Sequence, residues 1–161
     1  ALVLRDKIEN EKALDQEDLD AQQEINEASE NLNSWVYEQS QDILSMDKIP
    51  AVIGGDHSAP FGLIKALKEK HPNLSILHID AHLDLRQSYQ DYSFSHASIM
   101  RNVYEKLSPH SIVSFGIRDF CPEERDFVRS QDNLHCFYDS QVSLRLAQGQ
   151  SWVEIIEEAL A

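Results

Sequence analysis

Four ionisable residues, His78, Asp80, His82 and Asp84, occupy alternate positions of the short run HIDAHLD. The residues just before it, Leu74, Ser75, Ile76 and Leu77, are mostly apolar and include a β-branched side chain, so the run enters as a strand. Residues i, i+2 and i+4 of a strand share a face, which predicts that Asp80, His82 and Asp84 converge. Three ionisable groups side by side are costly unless something compensates them. A divalent cation does so most simply, because carboxylate oxygen and neutral imidazole nitrogen are its usual ligands. His78 lies inside the strand and reads as a core residue or as support for a ligand.

A second segment, GGDHS, carries Asp56 and His57 behind the paired glycines Gly54 and Gly55. The glycines permit a tight turn with positive φ or a close backbone approach. Alone, this segment reads as a turn with Asp56 or Ser58 capping the next helix. Together with D-x-H-x-D it delivers two histidines and more than one carboxylate to one place. Such an oxygen-rich set suits Mn²⁺ better than a structural zinc, which prefers Cys and His. Two metals roughly 3.5–4 Å apart, bridged by carboxylate, would use it. The metal-free alternative is a buried, hydrogen-bonded polar network.

His96, in SHAS, opens a helix after a loop containing Tyr and Ser. An imidazole near such a centre is suited to proton transfer, and the simpler reading is a surface or capping histidine. Arg86 and Arg118 are expected to pair with the acidic region. His71, His110 and His135 have no partners in sequence, and Cys121 and Cys136 read as packing residues.

The elements that must position these groups alternate. EDLDAQQEINEASENLNSWVYEQSQDILSM has apolar residues at helical spacing and predicts a long amphipathic helix. KIPAVIGG predicts a buried strand and turn, and APFGLIKALKEKHP a helix ending before Pro72. LSILHIDAH is the second strand. SHASIMRNVYEKL is a helix that Ser95 caps. SIVSFGIR is the third strand, and PEERDFVRS a helix with Pro122 in its first turn. LHCFYD is the fourth strand, and SWVEIIEEALA a last helix capped by Ser151. Strand and helix in alternation mean βαβ units, a parallel sheet and helices on both faces. The strands, apolar almost throughout, should be buried on both sides. Ligands of such sheets bind at the carboxyl ends of strands, where the distinctive polar residues fall.

The chain's 161 residues suffice for one domain with a real core. Its net charge of −14 argues against nucleic acid as a partner and suits a cationic substrate, metal ions or simply a solvated acidic surface. Two cysteines far apart in sequence make a disulfide framework improbable and point to a reducing, cytoplasmic setting. No apolar run approaches a membrane span.

GGDHS, HIDAHLDLR, YSFSHAS and FGIRD, in this order, resemble the ureohydrolase family of arginases, agmatinases and formiminoglutamases, most strongly over residues 46–120. DLR and SHAS look more like the agmatinase branch. The resemblance implies an arginase-like, three-layer αβα fold with a mainly parallel sheet. It implies a binuclear Mn²⁺ centre with His57, Asp80, His82 and Asp84 among its ligands. Asp84 also lies near the nucleophile, and His96 matches the position that passes protons to the leaving amine. The resemblance further implies a small guanidino substrate, agmatine or similar, cleaved to urea and an amine by a homo-oligomer. The family's later S-x-D-x-D-x-x-D-P motif, which completes the ligands, is not in these residues, nor is its opening strand. The 161 residues are therefore expected to be an interior part of a single α/β domain in a protein of about twice this length. By themselves they are expected to be inactive and to bind Mn²⁺ weakly. Two other readings are a zinc amidohydrolase of deacetylase type and a non-catalytic scaffold homologue.

Overall fold

The computed structural model describes residues 2–10 and 13–161. Helix α1 (Leu2–Glu9) lies against the start of α2 (Gln16–Ser45), where Lys7 Nζ meets Asp18 at 2.6 Å and Asp15 at 3.1 Å. Asp15 begins α2 with a reciprocal cap: its side chain accepts from the Asp18 N–H, and the Asp18 side chain accepts from the Asp15 N–H. Helix α3 (Phe61–Lys70) packs closely on α2. Strand β1 (Ser75–Ile79) leads through a long loop to a 3₁₀ turn at His96–Ser98 and helix α4 (Ile99–Leu107). Then follow β2 (Ser111–Ile117), α5 (Pro122–Arg129), β3 (Leu134–Tyr138), α6 (Asp139–Ala147) and α7 (Trp152–Leu160).

The three strands form one parallel sheet in the order β1-β2-β3. Alternation along the strands separates two faces. Ile76, Ile112, Leu134 and Cys136 lie on one, joined in the core to Phe61, Leu83, Leu85, Ile99, Met100 and Val103. On the other face Phe115 and Phe137 stack at 5.5 Å and Phe115 meets Trp152 at 6.1 Å, so α6 and α7 cover β2 and β3. The expected layering of helix, sheet and helix is thus present.

Two expectations fail. The apolar run KIPAVIGG is not a strand: residues 48–54 make no ladder bonds, Ile49 and Ile53 are almost wholly exposed, and Pro50 and Val52 lie beside Val36 of α2 instead. Apolar composition supplies a tendency, and a strand forms only where a neighbour offers hydrogen bonds. Nor is the sheet buried on both sides at β1, where Leu77 is 47% and Ile79 75% exposed. Helices α6 and α7 lie over β2 and β3 and leave that end of the face bare. Helix α6 was not anticipated.

The tightest helix contact is at Gly62. A Cβ there would stand 2.2 Å from the Asn33 carbonyl oxygen and 2.6 Å from the Tyr37 nitrogen, both backbone atoms of α2 that cannot swing aside. Gly62→Ala is expected to lower stability by about 1–3 kcal/mol, read as a fall in the urea midpoint. Gly55→Ala, where an added Cβ meets nothing within 4 Å, is the control that should leave the midpoint nearly unchanged.

Candidate metal centre

Strand β1 ends at Ile79, and the ladder continues one step as the Asp80 N–H donates to the Phe115 carbonyl (3.1 Å). Beyond it, Gly116 (φ 88°) breaks the register between Phe115 and Ile117. That bulge sends residues 118 and 119 towards the HIDAHLD loop: both N–H groups donate to the Ala81 carbonyl, at 2.8 and 3.0 Å. A side chain at 116 would also crowd the Asp80 carbonyl oxygen at 3.3 Å.

Asp84 adopts a left-handed backbone (φ 52°) and is buried. Its neighbours Leu83 and Leu85 both enter the core, which fixes the loop on either side. Its carbonyl oxygen accepts from the Met100 and Arg101 N–H groups at the start of α4 (3.0 and 3.2 Å). The next amide, Leu85 N–H, donates to Glu124 Oε1 (2.9 Å), while Glu124 Oε2 accepts from Cys121 N–H (2.9 Å). Glu124 is 4% exposed and ties the loop to α5. Sequence reasoning passed over it. Its signal was a Glu three residues after Cys121, the residue before a Pro-led helix, which is the position of a reciprocal cap.

These constraints bring four groups together. His57, His78, Asp80 and Asp84 present ligand atoms all within 4.8 Å of one another. His57 Nδ1 is 2.6 Å from Asp84 Oδ2 and 3.4 Å from Asp80 Oδ2. His78 Nε2 is 3.7 Å from Asp80 Oδ2, and the two imidazoles are 5.3 Å apart. His82 stands outside this group. Its side chain is 57% exposed, with Nδ1 3.3 Å from Asp80 Oδ1 and Nε2 3.7 Å from Asp119. The predicted alternation of Asp80, His82 and Asp84 on one face does not hold, because the strand ends before Asp80 and the φ of Asp84 re-aims its carboxylate. Asp80 therefore lies between two histidines, one oxygen towards His57 and the other towards His82.

The paired glycines act through space rather than dihedral angle. A Cβ on Gly54 would stand 2.7 Å from the Ala59 Cβ, and neither glycine has positive φ. Asp56 accepts from the Ser58 N–H (2.8 Å) and does not cap α3, which begins at Pro60 without a side-chain cap. His96 is exposed and meets Tyr89 edge to face at 5.4 Å. It lines a cavity of about 250 Å³ shared with His82, Asp84, Arg86, Tyr89 and Asp119. Arg86 faces Glu124 at 3.9 Å, while Arg118 donates to the Gly116 carbonyl. A larger cavity of about 520 Å³ lies at the other ends of the strands, around Leu77, Val113, Phe137 and Leu160, away from the cluster.

Electrostatics follow from this packing. The hydrogen bond to the Asp84 carboxylate raises the His57 pKa, against the opposing effect of burial, and the Asp80 charge adds to it. Burial lowers the His78 pKa and keeps that ring neutral, with the nearby His57 acting in the same direction. For Asp80, burial acts upward, yet hydrogen bonding from the His82 N–H and the nearby His78 and His57 hold its pKa below the usual carboxylate range. Among the described residues the buried His78 Nε2 has no hydrogen-bond partner. Two carboxylates beside the His57 imidazole fit a divalent cation of hard to borderline character.

The profile described as "Arginase family" matches residues 2–160. An agmatinase from Bacillus cereus is 38% identical over 96 residues, which are 59% of this chain and 33% of that protein. A mitochondrial arginase 1 from Oryza sativa is 31% identical over 135 residues, 78% of this chain and 40% of that protein. The crystal structure of the agmatine ureohydrolase of Thermoplasma volcanium superposes with a TM-score of 0.65 at 26% identity, covering 81% of this chain and 41% of that one. The chain thus spans about a third of the agmatinase's length and two fifths of the plant protein's.

Glu124→Ala leaves the Leu85 and Cys121 amides without acceptors. It is expected to cost roughly 2–6 kcal/mol, at about 1–3 kcal/mol for each of the two unsatisfied groups. Urea unfolding measures this, and Glu124→Gln, which retains one acceptor, should lose less.

Proposed function

This chain belongs to the arginase family, and from that premise we propose that it carries the metal-binding part of a ureohydrolase acting on a small guanidino compound. The observation that carries the reading is the position of Asp80, one oxygen facing His57 and the other facing His82. Asp80, with His57, His82 and Asp84, would hold the metal. Mn²⁺ fits the oxygen-rich donor set. The metal pair, when bound, supplies Lewis acidity and a water of lowered pKa.

The chain's own residues do the remaining work. Asp84, immobilised by its neighbours, fixes the His57 ring through a 2.6 Å contact. The acidic wall formed by Asp84 and Asp119 favours a cationic guanidinium in the adjoining cavity. His96, on the wall of the same cavity, is placed to give a proton from an imidazole nitrogen to the departing amine as the carbon–nitrogen bond breaks and urea forms. Agmatine is the preferred substrate, supported by the SHAS loop and by the agmatinases among the relatives. Residues 1–161 form part of a single α/β domain in this reading. The setting is a reducing cytoplasm, supported by two unpaired cysteines, and the whole protein is a homo-oligomer. No helix among the described residues is long and apolar enough to cross a membrane.

The test loads the whole protein with Mn²⁺ and measures metal content by elemental analysis. Asp80→Asn is expected to weaken both sites, and His82→Asn to lower occupancy at one of them by about 10–100-fold or more. Unchanged manganese in Asp80→Asn overturns the assignment. Urea release should be faster from agmatine than from arginine, guanidinobutyrate or formiminoglutamate. Preference for arginine overturns the substrate assignment and leaves the metal centre standing.

A further inference from the structure

Resting on the metal-site reading, we propose that His78 is a positioning residue rather than a ligand: held by Ser114, it donates Nε2–H to Asp80 and sets the direction of that carboxylate. His78 and Ser114 are register partners on adjacent parallel strands, and both are buried. His78 Nδ1 lies 3.1 Å from Ser114 Oγ, a hydroxyl with no other partner among the described residues. On the opposite side of the ring, Nε2 has no hydrogen-bond partner among the described residues and faces Asp80 Oδ2 at 3.7 Å.

Two neutral tautomers are available to the ring, and the neighbours choose between them. With the proton on Nδ1, the Ser114 oxygen accepts it, the buried Ser114 O–H finds no acceptor, and the Nε2 lone pair faces a carboxylate oxygen. With the proton on Nε2, Ser114 donates to Nδ1, and Nε2–H faces Asp80. Only the second arrangement sets a donor against an acceptor at both ends. The gap to Asp80 exceeds a usual N–H···O distance by about 0.7 Å, which a small rotation of the carboxylate closes. The other Asp80 oxygen already accepts from the His82 N–H at 2.9 Å. Asp80 is then steered at both oxygens, and the His78 lone pair is engaged by serine, away from the cluster. The alternating HIDAHLD pattern thus divides into two roles. Asp80 and Asp84 supply oxygens, and His78, two residues earlier and itself buried near the end of β1, orients one of them.

The tautomer is read without metal, by long-range ¹⁵N–¹H correlation on the histidine rings, with His78→Gln assigning the signals. Nε2–H is expected in the wild-type chain, and a shift towards Nδ1–H in Ser114→Ala. Nδ1–H in the wild type overturns the proposal. Mn²⁺ affinity is then followed by EPR titration of the wild type, His78→Phe, Ser114→Ala and the double variant, with circular dichroism verifying the fold. His78→Phe is expected to bind about 10–100-fold more weakly. Ser114→Ala should lose less, and the double variant no more than His78→Phe, because both act through one contact. His78→Gln, which keeps an N–H donor, should recover part of the affinity. Unchanged binding in His78→Phe, additive losses, or direct hyperfine coupling of Mn²⁺ to a His78 nitrogen each overturn it. A wild type that binds no Mn²⁺ overturns the metal-site reading instead, and the tautomer still decides the role of His78.

Discussion

The site depends on Asp84 being held in a conformation that its own backbone disfavours. A left-handed residue other than glycine is uncommon, although aspartate tolerates it better than most, and it persists only when its surroundings over-determine it. Here the surroundings do so from three directions. Leu83 and Leu85 are driven into the core by the hydrophobic effect, α4 donates two N–H groups to the Asp84 carbonyl, and Glu124 takes the next amide. The carboxylate is left one direction to point, towards His57. Apolar packing thus aims a charge.

The consequence is electrostatic. Two carboxylates share one space at the end of a strand in a chain of net charge −14. Without a cation, the nearest compensation is the His57 ring, whose affinity for a proton rises for that reason. A divalent ion held there would compete for the same lone pairs, and its binding would be coupled to proton release from His57. His78 is kept out of that exchange because burial holds it neutral. One acidic cluster therefore has two histidines of opposite tendency, separated by 5.3 Å and distinguished by solvent access and neighbours.

The sheet explains why the cluster sits where it does and why one side of it stays open. Parallel strands end together, so the loops after β1 and β2 meet, and the Gly116 bulge bends the second across the first. Helices α6 and α7 complete the layer over β2 and β3, whereas β1 keeps exposed apolar side chains on that face and its outer edge unpaired. The clustered His and Asp residues of β1 and its loop are consequently built on the least supported strand. Glu124 and the α4 amides offset this by bracing the loop from the opposite side.

Much of this was legible in the residues themselves. Helical and strand periodicity is local, so α2, α3, α4, α5, α7 and the three strands could be read from spacing. Ser151 caps α7 as expected, whereas Ser95 precedes the 3₁₀ turn and Ser98 stands before α4. GGDHS and HIDAHLD singled out His57, Asp80 and Asp84, and the structure brings those three side chains together. What no window of sequence contains is the contact between His57 and Asp84, 27 residues apart, or the tie between Leu85 and Glu124, 39 residues apart. Those distances are set by how the helices and strands pack. Tertiary structure likewise decided that KIPAVIGG would not become a strand, since ladder partners are non-local. It also turned His82 outward, because the strand stopped at Ile79 and the alternation that sequence alone would continue was broken, while His78 is buried as its place in the strand implied.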